Sequence, residues 1–65
     1  MEYTNSQARE AIAEHIHSSR DRIILEKRLI DGLTYERIAE DMDMSVRQIK
    51  NIVYKSESIL FRKLH

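Results

Sequence analysis

TYERIAEDMDMSVRQIKN, residues 34–51, carries two helix-start signals eleven residues apart, at Thr34 and Ser45. Thr34 is a hydroxyl residue ahead of an apolar-periodic run, with Leu33 before it and Ile38 four after it as a hydrophobic staple. Ser45 and Gln48 have the spacing of a capping box, and Met44 with Ile49 that of a second staple. The first helix of the pair ends near Asp41, and Met42-Asp43-Met44 is the turn. Two helices joined so tightly cannot lie flat and antiparallel, so they cross steeply in a helix-turn-helix. Such a crossing needs a small residue where the backbones approach, and Ala39 occupies that position. It also needs a turn residue that tolerates positive φ. Asp43 serves, though less well than glycine.

Outward from this pair, the chain continues to read as helix. Thr4 and Gln7 form another capping box, followed by Ala8, Ala11, Ile12 and Ile16 at helical spacing. The pattern fails at His17-Ser18-Ser19, where Ser18 or Ser19 can cap a second helix with Asp21 in its first turn. Ile24, Leu25 and Leu29 form the expected inward stripe of that helix, widened by Ile23 and Ile30, and Gly32 ends it. Ile49, Ile52, Val53, Ile59, Leu60 and Leu64 extend an apolar face along the last helix. The expectation is an all-α fold forming one domain over residues 1–65, with helices near 5–17, 19–31, 34–41 and 45–63.

Composition sets limits on function. A chain of 65 residues buries only roughly 60% of its unfolded surface, and such a core supplies roughly 3–5 kcal/mol of net stability. There is no proline and one glycine, which suits helices with short connections. There is no cysteine, so disulfides and thiolate metal sites are out. No apolar run approaches the ~20 residues of a membrane span, and the N-terminus has no signal-peptide pattern. A cytoplasmic location with no membrane partner is the expectation. His15 and His17, two apart on a helix, point away from each other and cannot share a metal. No nucleophile–base–acid set stands out and no pocket is expected at this size, so neither an enzyme nor a cofactor is implied.

The formal net charge is zero, but its distribution is polarised. Residues 1–30 carry five basic and five acidic side chains. Residues 31–44 carry one basic and five acidic, and residues 45–65 five basic and one acidic. At 100° per residue, Arg47, Lys50, Asn51, Tyr54, Lys55 and Ser58 fall on one side of the last helix, opposite Ile49, Val53 and Leu60. Such a face on its own is only a solvated surface. At the start of the second helix of a tight crossing it becomes a set for base edges: Arg and Lys pair with guanine, Asn and Gln with adenine. The helix N-terminus and Ser45 can donate to a phosphate. Double-stranded DNA is therefore the expected partner. Tyr54 is open between stacking on the DNA backbone and covering a neighbouring helix. Phe61 is open between closing the core and forming a dimer seam with Leu64.

The segment ILEKRLIDGLTYERIAEDMDMSVRQIKNIVYKSESILFRKL, residues 24–64, resembles region 4 of sigma-70-family factors, with GLTYERIAE and MSVRQIKN the specific part. LuxR-type domains share much of the pattern but have a last helix about a turn shorter. The resemblance implies a bacterial or phage helix-turn-helix transcription domain that contacts a −35-like promoter element through the exposed early residues of its last helix. Here those are Val46, Arg47, Lys50 and Asn51, flanked by Gln48 and Lys55, while Thr34 and Arg37 meet the DNA backbone. Val46 departs from the polar residue often found at its position, so the family's sequence preference does not transfer. In the family this domain also contacts RNA polymerase, which leaves a protein-interaction module, docking on polymerase or self-associating as a homodimer through its C-terminal helix, as the alternative. Neither the length nor the aromatic content provides the region that melts the −10 element. The expected role is thus a small regulator, a sigma partner or a fragment.

Overall fold

The computed structural model describes residues 4–64, with side chains through Arg62. Four helices make up the described residues, with no strand among them. They are α1 (Asn5–His15), α2 (Ser19–Leu25, continued without a break by a π-helical stretch, Glu26–Ile30), α3 (Tyr35–Met42) and α4 (Val46–Leu64).

Each start is capped by the side chain the sequence provides. Thr4 Oγ1 accepts from the Gln7 N–H at 3.2 Å, and Gln7 Oε1 accepts from the Thr4 N–H at 2.9 Å. Ser18 Oγ accepts from the Asp21 N–H, and Thr34 Oγ1 from the Arg37 N–H at 3.1 Å. At α4, Ser45 Oγ accepts from the Gln48 N–H at 3.1 Å and Gln48 Oε1 from the Ser45 N–H at 3.0 Å. Four orphan ends are thereby satisfied locally, which a core this small could not do by burial.

α1 stops two residues short of the expected Ile16-His17 end. Ile16 turns extended (φ −109°, ψ 114°) after its N–H closes on the Ile12 carbonyl. Arg22, on α2, donates from Nε to the Ile16 carbonyl and from Nη2 to the Ala13 carbonyl at 3.1 Å, closing the end of α1 across the corner.

The second half of α2 departs from the expected α-helical register. The Asp31 N–H bonds five residues back to the Glu26 carbonyl, and the Leu33 N–H six back to that of Lys27, each at 3.0 Å. With a five-residue turn it is Ile30 rather than Leu29 that lies below Leu25. Ile30 packs on the core, while Leu29 is 42% exposed. Ile23, two residues before Leu25 and so on the far side of the helix, is 45% exposed. Of the expected inward set, Ile24, Leu25 and Ile30 face the core, while Leu29 and Ile23 are corrected to the surface.

The core draws on all four helices: Ala11, Ile12 and Ile16; Ile24 and Leu25; Ile38 and Ala39; Ile49, Val53 and Leu60. Ile12, Ile24, Leu25, Ile38, Ile49 and Val53 are fully buried. Each contributes roughly 1.5–3 kcal/mol of burial free energy before the entropy of ordering is subtracted. At ~1.5 Å per residue the 19-residue α4 runs about 28 Å, nearly the full 31 Å length of the molecule, and α1, α2 and α3 all pack on it. Phe61 does not close the core; it is 53% exposed. The apolar contribution expected of Leu64 concerns a side chain outside the described residues.

Candidate nucleic-acid interface

The turn between α3 and α4 is set by Asp43. It sits in the left-handed region at φ 54°, ψ 47°. Its N–H donates to the Glu40 carbonyl (3.3 Å) and the Met44 N–H to the Ala39 carbonyl (3.0 Å). That pair of bonds is a Schellman closure, which ends α3 sharply and turns the chain into Ser45. Met42 and Met44 pack on the core beside buried Ala39, so the turn is held from below while Ser45 starts α4 at the surface.

From this start α4 displays Arg47, Lys50, Asn51, Tyr54 and Lys55 to solvent, while Ile49 and Val53 anchor the opposite side at zero exposure. Among the described residues Arg47, Asn51 and Lys55 make no side-chain hydrogen bond or ion pair. Arg47 and Asn51 lie one turn apart and share a face. Five other expected site residues are engaged. Ser45 and Gln48 hold each other in the capping box, and Val46 is half-buried against the core. Thr34 is exposed and caps α3; Arg37, also exposed, pairs through Nε with Asp41 at 3.4 Å. Thr34 and Arg37 thus stand at the start of α3, the helix that packs on α4.

Tyr54 covers a neighbouring helix. Its ring meets Tyr35 edge-on, at 6.3 Å between centroids and 77° between planes, and remains 55% exposed. Below it a shallow groove on α4 is lined by Tyr54, Glu57, Ser58, Phe61 and Arg62. Sequence reasoning missed Tyr35. Its ring has the Arg28 guanidinium 4.4 Å away and the Lys50 ammonium 5.7 Å away. A tyrosine just after an N-cap carries no pattern that marks it, and the contact depends on where the π-turn delivers Arg28.

Two helices closed by a left-handed turn, the second presenting arginine, lysine and asparagine near its N-terminus, define a helix-turn-helix domain of the DNA-binding, transcription-related class. The profile of one family, Sigma-70, region 4, matches residues 18–58, well over half of the chain. The protein belongs to that family. The match runs from the Ser18 cap of α2 to Ser58, so α1 and the last turns of α4 lie outside it. No curated protein and no solved structure matches the chain. Among the described residues no helix is long and apolar enough to cross a membrane.

Proposed function

We propose that this domain reads double-stranded DNA by placing the start of α4 in the major groove, at a −35-like promoter element, as a small regulator or a sigma partner working with RNA polymerase. The observation that carries the reading is the exposed pair Arg47 and Asn51, unpaired among the described residues, with Lys50 beside them, on the second helix of a sigma-70 region 4 fold. Arginine and lysine match the acceptors of guanine, and asparagine the donor–acceptor pair of adenine. The α4 N-terminus adds a partial positive charge for a phosphate. Thr34 and Arg37 are assigned to one flanking strand, and Lys55, two turns further along, to the backbone where the helix leaves the groove. Val46, Gln48 and Ser45 set the entry of the helix, and Tyr54, which meets Tyr35 with one edge, offers its remaining exposed surface to sugar and phosphate.

The test begins with selection of bound duplexes from a random pool at low salt. Wild type, Arg47→Ala, Asn51→Ala and Lys55→Ala are then titrated on selected and scrambled duplexes at two salt concentrations. Arg47→Ala should cost roughly 1–3 kcal/mol on the selected duplex and relax the preference at one base pair. Lys55→Ala should weaken both duplexes alike and reduce the salt slope by about one. Unchanged binding for all three variants would remove the DNA reading.

A second reading rests on Phe61, an aromatic ring left outside the core next to Glu57 and Arg62. Opposite charges on one helix face are self-complementary across a two-fold axis, which favours a second copy as the occupant. Sedimentation of wild type and Phe61→Ala over a hundredfold range of concentration discriminates the two. Association lost in the variant, without an effect on DNA titration, assigns this surface to self-association alone.

A further inference from the structure

We propose that Tyr35 is a positioning residue for the reading helix: its ring restrains the Lys50 ammonium and props Tyr54, so that α4 offers DNA a pre-set charged edge. The inference rests on the DNA-binding reading of α4. Tyr35 is the first residue of α3, half-buried, directly after the Thr34 cap. Lys50 and Tyr54 are four apart, on successive turns of α4, and the ring lies against both. On the α2 side, Arg28 brings its guanidinium to 4.4 Å from the ring centroid and is itself fixed by donating from Nη1 to the Leu33 carbonyl at 2.9 Å. Three helices therefore meet at one aromatic ring, and one of the groups held there belongs to the proposed reading set.

The chemistry favours this arrangement. The negative face of a tyrosine ring attracts an ammonium within about 6 Å of its centroid. An edge-to-face partner such as Tyr54 fixes the ring plane. A free lysine has a long flexible stem and loses much of that freedom when a phosphate or base captures its head group. Partial restraint beforehand lowers that loss on binding. Arg28 has no place in the proposed DNA face. Its role is to hold the ring, and it does so from the π-turn of α2, which joins that unusual turn to the function of α4.

The experiment is a double-mutant cycle. Tyr35→Phe and Tyr35→Leu are made with Lys50 intact and with Lys50→Ala, and all are titrated on the duplex selected by wild type and on its scrambled counterpart. Far-UV circular dichroism and the thermal midpoint are followed in parallel. Tyr35→Phe keeps the ring and should bind as wild type. Tyr35→Leu should weaken binding to the selected duplex by about two- to fivefold, and that loss should vanish in the Lys50→Ala background. A loss of equal size in both backgrounds makes the ring merely structural and overturns the inference. So does an unaltered Tyr35→Leu when Lys50→Ala alone weakens binding. If Lys50→Ala leaves binding unchanged, the reading of Lys50 fails first and the inference falls with it. One measurement needs no variant: the Lys50 ε-methylene protons of wild type should show an upfield ring-current shift by NMR, and random-coil values there overturn the proposal even if Tyr35→Leu does not fold.

Discussion

Asp43 adopts a conformation for which it is a second-best residue. At φ 54°, ψ 47° an L side chain is crowded against its own carbonyl, and aspartate is among the few that accept this. Among the described residues its carboxylate has no hydrogen-bond or ion-pair partner to offset the cost. It also places a negative charge at the C-terminus of α3, where the helix dipole disfavours one. Asp43→Gly removes both penalties and keeps the backbone bonds from residues 43 and 44 that close the turn. It should stabilise the domain by roughly 0.5–1 kcal/mol, seen as a higher urea midpoint with an unchanged slope. Destabilisation would mean that the carboxylate makes a contact of its own. The positive φ at residue 43 is legible from the sequence, because the spacing of Thr34 and Ser45 leaves only a tight turn and aspartate is the residue in it that tolerates such a conformation. Tyr35 is not legible, since cation–π geometry leaves no periodic trace.

At the scale of elements, what can be read and what cannot divide along the same physical line. Caps are local, made between residues three apart, so Thr4, Ser18, Thr34 and Ser45 announce the helices of the all-α fold without knowledge of the rest. Register inside a helix is also local while the helix stays α, and Ile12, Ile24, Leu25, Ile38, Ile49 and Val53 follow from it. The π-turn at Glu26–Ile30 breaks that inference, because LEKRLI carries apolar residues at both Leu29 and Ile30 and the pattern alone accepts either. Tertiary packing chooses Ile30. Arg22 escaped notice for a related reason: the carbonyls it closes belong to another helix. The register is open to direct test. Ile30→Ala should cost about 1–3 kcal/mol, and Leu29→Ala, whose side chain is largely in water, less than about 1 kcal/mol. Chemical denaturation of the two variants gives the comparison, and the reverse order would restore an α-helical register through residue 30.

For the whole molecule, the question is how a protein of zero net charge can bind a polyanion. Residues 31–44 sum to −4 and residues 45–65 to +4, and α3 packs directly on α4. Part of the acidic charge is already neutralised, with Asp41 held by Lys27 at 3.5 Å and Arg37 at 3.4 Å. Glu36 and Glu40 are exposed and, among the described residues, have no ion-pair partner. They lie one turn apart on α3, the helix that packs against α4, and exposed charges of this kind are screened by salt. On the proposed DNA reading they would repel the phosphates that Arg47, Lys50 and Lys55 would attract, and hold non-specific affinity down while leaving base contacts intact. Replacing both with glutamine should raise affinity for selected and scrambled duplexes by the same factor, about three- to tenfold at low salt, and by little at high salt. Stability should fall by no more than roughly 0.3–1 kcal/mol, the dipole contribution of Glu36 in the first turn of α3. Fluorescence-anisotropy titrations at two salt concentrations would measure this. A gain confined to the selected duplex, or one that persists at high salt, would point to a direct contact of Glu36 or Glu40 with a base and would redraw the interface to include α3.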